Sequence, residues 1–438
     1  MAYDIEFGCR ALINVIVSRE TRQRMAEGNI QKLPEKRLLE YINSLIDLGW
    51  VKEERGDKKD SDYVVYAFTE KGRRIYENPS ELLNLSDAEQ EHVSLLRRLD
   101  ALKRDDSISM MPQTLMALSD LCLGNGRYDS ALMYAMDLHK RAEELKSTFF
   151  VGEASILMGR VENARGELES SLKYFINATD AFNRIGEVSR EADSLRYAGG
   201  VLLKMGDYKQ AMMMFEQSKD KFFHIRHMMG VAKAKANLGI LHSLTKNYDT
   251  AENYWKNALE FFEALEDKES QTKILNNLGA MLIMTKKYDE AVNYLRKAIT
   301  ISREDKNKYS ECIGILNFAY ANAKLGKYEI ARQAVDSINN ALKEGFDTYL
   351  LAYNELVMAI YTTYRGSWNE AEKRFLAAIR FATTSGNAEL ISECHEEYGR
   401  ALMQKNERER AATEFTASVS VSESIAITEL RKGLSNGT

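Results

Sequence analysis

The chain has 438 residues, more than one compact core usually holds, so several domains or one long repeat array are expected. Hydrophobic residues make up 45% and charged residues 29%, and only 3 prolines occur, which indicates helices joined by short turns. The formal net charge of -5 excludes a general attraction to nucleic acids or acidic membranes, so any such contact needs a local basic patch.

The cysteines and the N-terminal sequence favour the cytoplasm. Cys9, Cys122, Cys312 and Cys394 lie far apart with no Cys-x-x-Cys pair, which fits buried thiols in a reducing compartment. The opening MAYDIEFGCR has acids where a signal peptide is basic, and no apolar run approaches the roughly 20 residues that span a bilayer. We therefore expect a cytoplasmic protein without a disulfide framework.

Residues 1–80 differ in composition from the rest of the chain. The segment PEKRLLEYINSLIDLG has apolar residues with helical period, and DYVVYAF is apolar and β-branched enough for a strand. The order of helix, Leu-Gly-Trp-Val, strand, charged loop, strand and Thr-x-Lys-Gly resembles a winged helix-turn-helix domain over residues 5–78. The resemblance implies a small α+β domain with EFGCRALINVIVS as the first helix, ETRQRMAEG as the second and PEKRLLEYINSLIDLG as the recognition helix.

The same resemblance implies a DNA-binding surface. Exposed residues early in the recognition helix would enter the major groove, and the hairpin loop would touch phosphates. Basic side chains would hold phosphates or guanine edges, and an asparagine could read a base. The predicted DNA-binding residues are Lys32, Lys36, Arg37, Tyr41, Asn43, Ser44, Arg55, Lys58 and Lys59. Acids such as Glu35 and Asp57 are interleaved with them, so docking of another protein by this domain stays open.

Residues 81–110 predict a connecting helix. Ser86 is a good N-cap, and Glu89 follows three residues later, as in a capping box. One helical stripe carries the apolar residues Val93, Leu95, Leu96, Leu99 and Leu102. We expect this stripe either to dock on the following repeat or to pair with a second chain, which would give the homodimer that palindromic DNA sites require.

Residues 111–430 repeat a motif every 40 residues. The segments KNYDTA from Lys246 and KKYDEA from Lys286 share the spacing Tyr-x-x-Ala. Ten residues before each tyrosine stand Leu238-Gly239 and Leu278-Gly279, where a small residue lets a second helix approach closely. Offsets of three and four place small and bulky groups on one helix face. The aromatic position, expected in the core, reads Tyr128, Leu168, Tyr208, Tyr248, Tyr288, Tyr328, Trp368 and Arg408.

This pattern resembles the tetratricopeptide repeat. The usual period of that repeat is about 34 residues, so the longer period here adds nearly one turn to each helix of a pair. The proline that ends its second helix is missing, and turns such as KLGKYE and LEDKES are expected to end the helices instead. The sequence therefore predicts a mainly α protein with an α-solenoid of about eight helix pairs, a concave inner surface and a tail at 431–438.

The first helix of each pair is expected to line that concave surface. Asn237, Asn277 and Asn317 occupy one position in three consecutive repeats, and asparagines can bind the main chain of an extended peptide because they both donate and accept hydrogen bonds. The predicted peptide- or protein-binding residues are Arg160, Arg196, Tyr197, Lys233, Asn237, Lys273, Asn276, Asn277, Asn317, Tyr320, Tyr353 and Arg400. Such a groove suits an extended or acidic peptide. Alternatively, the asparagines bond to neighbouring helices and fix the repeat stacking.

No sequence motif indicates catalysis. Phosphate-binding Gly-x-x-x-x-Gly-Lys loops, His-Glu-x-x-His and Gly-x-Ser-x-Gly are absent, and His224 and His227 would form only half of a metal site, so no cofactor or metal is expected. The layout is similar to that of the peptide-sensing Rap, PlcR and PrgX group. The sequence predicts a non-enzymatic, DNA-binding transcriptional regulator whose repeats bind a peptide or protein segment. A scaffold that docks proteins at both parts and a Rap-like regulator of a phosphorelay protein remain alternatives.

Overall fold

The computed structural model describes residues 46, 51–55, 64–70, 87–104, 107–343 and 348–435. The chain divides into two compact units, Met1–Ser194 and Leu195–Thr438, which are described separately. The first two helices of the predicted winged helix-turn-helix domain lie outside the described residues, and so do all the predicted DNA-binding residues except Arg55. The domain boundaries predicted at residues 80 and 110 stay predictions.

The two strands predicted near the N-terminus form a hairpin. Strand β1 (Val51–Arg55) pairs antiparallel with β2 (Val64–Phe68), with Val51 opposite Phe68 and Arg55 opposite Val64. Valines and aromatic residues favour an extended backbone, which explains the position of β2. The winged-helix domain as a whole stays a prediction.

Unit 1 continues with a stack of helices around one core. Its elements are α1 (Asp87–Arg104), a 3-10 turn (Ile108–Met110), α2 (Met111–Gly124), α3 (Tyr128–Glu144), α4 (Thr148–Arg165), α5 (Leu168–Ile185) and the first part of α6 (Val188–Met205). Leu99 of α1 is buried together with Leu115 and Leu118 of α2. The predicted apolar stripe of α1 therefore docks on the first helix pair, and a homodimer would need another surface.

Unit 2 contains the rest of α6 and twelve further helices among the described residues. They are α7 (Tyr208–His224), α8 (Met228–Leu244), α9 (Tyr248–Ala264), α10 (Lys268–Met284), α11 (Tyr288–Glu304), α12 (Lys308–Lys324), α13 (Tyr328–Asp336), α14 (Asn339–Lys343), α15 (Thr348–Tyr364), α16 (Trp368–Ser385), α17 (Ala388–Gln404) and α18 (Arg408–Ser435). One helix position is interrupted at Ser337 and Ile338, so α13 and α14 together take the place of one second helix.

The turns between helices recur every 20 residues, which divides each 40-residue repeat into two nearly equal helices. Where the structure describes these turns, a residue in the left-handed conformation stands in them, at Gly126, Lys146, Gly166, Gly186, Gly206, Arg226, Lys246, Glu266, Lys286, Lys306, Gly326, Gly366, Gly386 and Asn406. At the end of α8, Lys246 N–H donates to Ser243 O and Asn247 N–H donates to His242 O, at 3.0 and 2.8 Å. This is the hydrogen-bond pattern of a Schellman motif.

The residue after the left-handed position often caps the next helix. Asp267 follows Glu266, and its carboxylate accepts a hydrogen bond from Ser270 N at 3.0 Å to start α10. The LEDKES turn therefore ends one helix and begins the next, as the sequence predicts. His227 starts α8 in the same way, since its Nδ1 accepts a hydrogen bond from Gly230 N at 3.2 Å.

Close contacts between paired helices depend on the small residue that the sequence singles out. A Cβ atom added to Gly239 would lie 2.4 Å from Nε1 of Trp255, and one added to Gly279 would lie 2.4 Å from Cδ2 of Leu295. Such distances are far below van der Waals contact, so the predicted close approach is confirmed.

The aromatic positions differ from the expectation that they form the core. Tyr248, Tyr288 and Tyr328 are half-buried against it, and Tyr128 is 36% exposed. The fully buried line consists of the alanine three residues later and the bulky residue after it, as at Ala251 and Trp255. The alanine lies one turn inside its helix and is fully enclosed, whereas each tyrosine begins its helix beside a turn.

The described part of the chain contains three cysteines, Cys122, Cys312 and Cys394, and all are free and buried, as expected. Within the described ranges, no helix combines the length and the apolar composition needed to cross a membrane. No group of three or more histidine, cysteine or acidic residues suited to hold a metal ion occurs in the same ranges.

Candidate functional site

An exposed face runs across α8 and α10, the first helices of two successive repeats, which contact each other directly. Residues spaced by four, three and four positions fall on one face of a helix. On α8 and α10 this spacing selects eight residues, which we name the open face: Lys233, Asn237, Ile240 and Leu244, with Lys273, Asn277, Ala280 and Met284.

The side chains of the open face are accessible. Lys273 is 61% exposed, Leu244 38% and Met284 49%, while Asn237 and Asn277 are half-buried. The opposite sides of the same helices enter the core, where Leu238 is fully enclosed. The predicted binding residues Lys233, Asn237, Lys273 and Asn277 are therefore brought together on one surface.

The open face carries one ion pair, among the contacts described for it. Lys273 pairs with Glu269 one turn earlier on α10, and both side chains are more than half exposed. Exposed pairs of this kind contribute about 0.3–0.5 kcal/mol to stability. The ammonium of Lys273 can therefore exchange this partner for another carboxylate at little cost.

Two other predicted asparagines are buried. Asn317 takes the equivalent position on α12 but is only 6% exposed. Asn276 is also buried, and its Nδ2 donates to the backbone oxygen of Ser310 at 3.3 Å, which joins α10 to α12. The structural alternative, in which asparagine fixes the repeat stacking, therefore describes Asn276, while Asn237 and Asn277 lie on the accessible surface.

Further along unit 2, side chains from three first helices bridge one another. Lys324 of α12 forms an ion pair with Glu397 of α17, with Nζ 2.6 Å from Oε1, and the two side chains are 17% and 9% exposed. Arg400 Nε lies 3.4 Å from the same oxygen. We name this set, with Tyr320, Tyr353 and Glu393, the bridged cluster. It contains the predicted binding residues Tyr320, Tyr353 and Arg400.

Tyrosines enclose the second carboxyl of the bridged cluster. Tyr320 and Tyr353 are buried, and their ring centroids lie 5.6 Å apart. Burial raises the pKa of Glu393 from 4.5 to about 7, a hydrogen bond from the Tyr320 hydroxyl opposes this shift, and the nearby carboxylate of Glu397 adds to it. This carboxyl group therefore keeps its proton to a higher pH than an exposed glutamate does.

The predicted binding residues do not include Lys324, Glu393 or Glu397. All three were open to the same argument that selected the others, because Lys324 is one helical turn after Tyr320, Glu393 is 40 residues after Tyr353, and Glu397 is two repeats after Asn317. What the sequence could not supply is the contact from α12 to α17, which joins residues 73 positions apart.

The remaining predicted residues form contacts elsewhere. In unit 1, Arg160 pairs with Asp120, and Arg190 donates to Glu153 with Nη2 2.7 Å from Oε2. Burial raises the pKa of Glu153, and the charge of Arg190 opposes this shift. In unit 2, the guanidinium of Arg196 lies 4.4 Å from the ring centre of Tyr197. These contacts place Arg160 and Arg196 outside both the open face and the bridged cluster.

Comparisons with known proteins agree with this repeat architecture. The family model described as tetratricopeptide repeat matches residues 152–220 and 230–304. No curated protein sequence matches the chain significantly.

Solved structures of similar fold include a Rap protein, an aspartyl phosphate phosphatase and a quorum sensor. A Rap protein complexed with Competence and Sporulation Factor is 16% identical, with a TM-score of 0.55 over 78% of this chain and 99% of that one. Aspartyl phosphate phosphatase F from Bacillus subtilis is 15% identical, with a TM-score of 0.56 over 85% and 96%. The apo form of the quorum sensor NprR from B. thuringiensis is 14% identical, with a TM-score of 0.51 over 80% and 93%. The chain contains tetratricopeptide repeats and shares its fold with these proteins.

Proposed function

We propose that this protein is a non-catalytic regulator whose open face binds an extended peptide or protein segment. The observation that carries the proposal is the pair Asn237 and Asn277, accessible at one position of two adjacent helices. Each amide can donate to a main-chain carbonyl and accept from a main-chain N–H, so binding does not depend on the identity of the bound side chain. The Rap protein of similar fold was solved with a bound factor, which supports the proposal. A cytoplasmic location goes with it, because the described cysteines are free.

The test is peptide binding by the full chain. A ligand would be selected from a displayed random peptide library and its affinity measured by fluorescence anisotropy. Replacing both asparagines, Asn237→Ala with Asn277→Ala, is expected to weaken binding about 50-fold, since each lost amide leaves main-chain groups unsatisfied at about 1–1.5 kcal/mol. The melting temperature should stay nearly unchanged, because both side chains are accessible.

The matched control is Asn253→Ala with Asn293→Ala. These asparagines are exposed, lie 40 residues apart and belong to the second helices α9 and α11. The control should bind as the natural sequence does. A large loss of melting temperature in the Asn237 and Asn277 variant would instead show that the pair serves stability, and equal binding by the two double variants would refute the proposal.

We also propose that residues 1–80 bind double-stranded DNA, which would make the regulator a transcriptional one. The antiparallel hairpin of β1 and β2, at the place where a winged helix has its wing, supports this proposal. Selection of the full chain on a random DNA pool at two salt concentrations should enrich a motif, and enrichment should be lost in Lys36→Ala with Arg37→Ala. Absence of enrichment would favour a protein-docking domain, and with it a scaffold or a regulator of a phosphorelay protein.

A further inference from the structure

The open face consists of three lines of different chemistry that each cross from α8 to α10. Lys233 and Lys273 form a basic line, Asn237 and Asn277 form an amide line, and the third line is apolar, with Ile240, Leu244 and Met284. The lines are parallel because equivalent residues recur 40 positions apart on equivalent helices. The amide line lies between the other two, since on each helix the asparagine is four residues after the lysine and three before the apolar position.

An extended chain presents its side chains alternately to two sides. A backbone held along the amide line would therefore direct one set of side chains toward the two lysines and the other set toward the apolar line. We propose that the open face selects extended segments in which acidic and aliphatic side chains alternate. This inference rests on the proposed function and specifies the ligand of the same site.

Charge on the open face fits acidic side chains in the first set. Lys233 and Lys273 are both exposed and carry the same sign at the same position of adjacent helices. The only charged contact described for this pair is Glu269 with Lys273, an exposed contact within one helix. A carboxylate placed on the basic line would interact with both ammonium groups. A basic ligand would be repelled there.

The apolar line fits aliphatic side chains in the second set. Leu244 and Met284 end α8 and α10, and both project substantial apolar surface into solvent. Packed helix axes lie about 8–10 Å apart, and an extended chain advances about 3.3 Å per residue. About three residues therefore cover the step from α8 to α10, and a segment of about seven residues is long enough to bring both sets of side chains to both helices.

The test uses three capped synthetic heptapeptides and the full chain. One alternates glutamate and leucine, the second has the same composition with the glutamates in one block and the leucines in another, and the third alternates lysine and leucine. Fluorescence anisotropy should show the alternating acidic peptide binding at least about tenfold more tightly than either of the others, because only it places each side chain on a matching line.

Charge reversal provides the second measurement. Lys233→Glu with Lys273→Glu should lose binding of the glutamate-leucine peptide and gain binding of the lysine-leucine peptide. The control, Lys256→Glu with Lys297→Glu, changes the charge equally on exposed lysines of the second helices α9 and α11, one of which pairs with Glu252 as Lys273 pairs with Glu269. It should leave the order of affinities unchanged.

The outcomes distinguish a failure of this inference from a failure of the proposed function on which it rests. Equal affinity for the alternating and block peptides, or no affinity for either, would overturn the inference. In both cases the library-selected peptide decides the proposed function: binding that requires Asn237 and Asn277 would preserve it, and binding that does not would refute it.

Discussion

The open face and the bridged cluster occupy the same positions on successive first helices of unit 2, yet one is accessible and the other is largely enclosed. At the lysine position of the open face, the three following repeats place Ile313, Tyr353 and Glu393. Lys233 and Lys273 have the same charge and cannot bond to each other, whereas Lys324 and Glu397 have opposite charges and meet at 2.6 Å. The repeat therefore determines where side chains stand, and the order of their charges determines whether the surface stays open to a ligand.

Breaking the ion pair between Lys324 and Glu397 should have the largest effect on stability. Lys324→Ala leaves Glu397 buried without its main cation, which should lower the free energy of unfolding by about 3 kcal/mol. The corresponding change on the open face, Lys273→Ala, removes an exposed pair and should cost no more than about 0.5 kcal/mol. Urea unfolding followed by circular dichroism measures both losses. Equal losses would mean that the bridge is no stronger than an exposed pair.

The two regions also differ in the small residue behind them, which gives a second comparison. Gly239 and Gly279 back the open face, whereas the same position in the bridged cluster is Ala319 on α12 and Ala359 on α15, with a glycine, Gly399, only on α17. Gly239→Ala should lower the free energy of unfolding by about 2 kcal/mol, because the new methyl group collides with Trp255. The control is Gly200→Ala, because a Cβ atom added at this helical glycine would have no neighbouring atom within 4 Å. This substitution should raise the free energy of unfolding by about 0.5–1 kcal/mol. If both substitutions shift the urea midpoint in the same direction, the close approach of Trp255 to Gly239 is contradicted.

A smaller, pH-dependent difference should distinguish the two regions. The folded state keeps a proton on Glu393 up to about pH 7, while the unfolded state releases it near 4.5, so the stability that this proton supplies is lost as the pH rises between these values. Tyr320, Lys324, Glu396 and Glu397 are the groups that act on this titration. Glu393→Gln stays neutral, and its melting temperature should therefore rise relative to that of the natural sequence between about pH 5 and about pH 7.5.

The control for this titration is Glu260→Gln, a change at an exposed glutamate on α9. The melting temperature of this variant should change with pH in parallel with that of the natural sequence across the same range. If the melting temperature of Glu393→Gln also changes in parallel with that of the natural sequence, burial does not hold the proton on this residue.

Much of the repeat fold follows from the sequence because it depends on local spacing. The 40-residue period, the glycines under Trp255 and Leu295 and the turns that end helices are properties of neighbouring residues, and the structure contains them as expected. The contact of Lys324 with Glu397 and the burial of Asn276 and Asn317 were not predictable in this way. They depend on how successive helices approach each other, which spacing along one helix does not determine.

The 20-residue interval between left-handed turn residues also limits how the chain can change in length. Removal of residues 228–267 would join one second helix to the first helix of a later repeat, and the next turn residue, Lys286, would follow Arg226 after a single unit of 20. Removal of one helix alone would place a second helix where a first helix belongs. Its buried alanines would then face helices with which they do not pack in the natural order. We therefore expect viable insertions and deletions in this architecture to come in steps of a whole pair, so that its length evolves by discrete units.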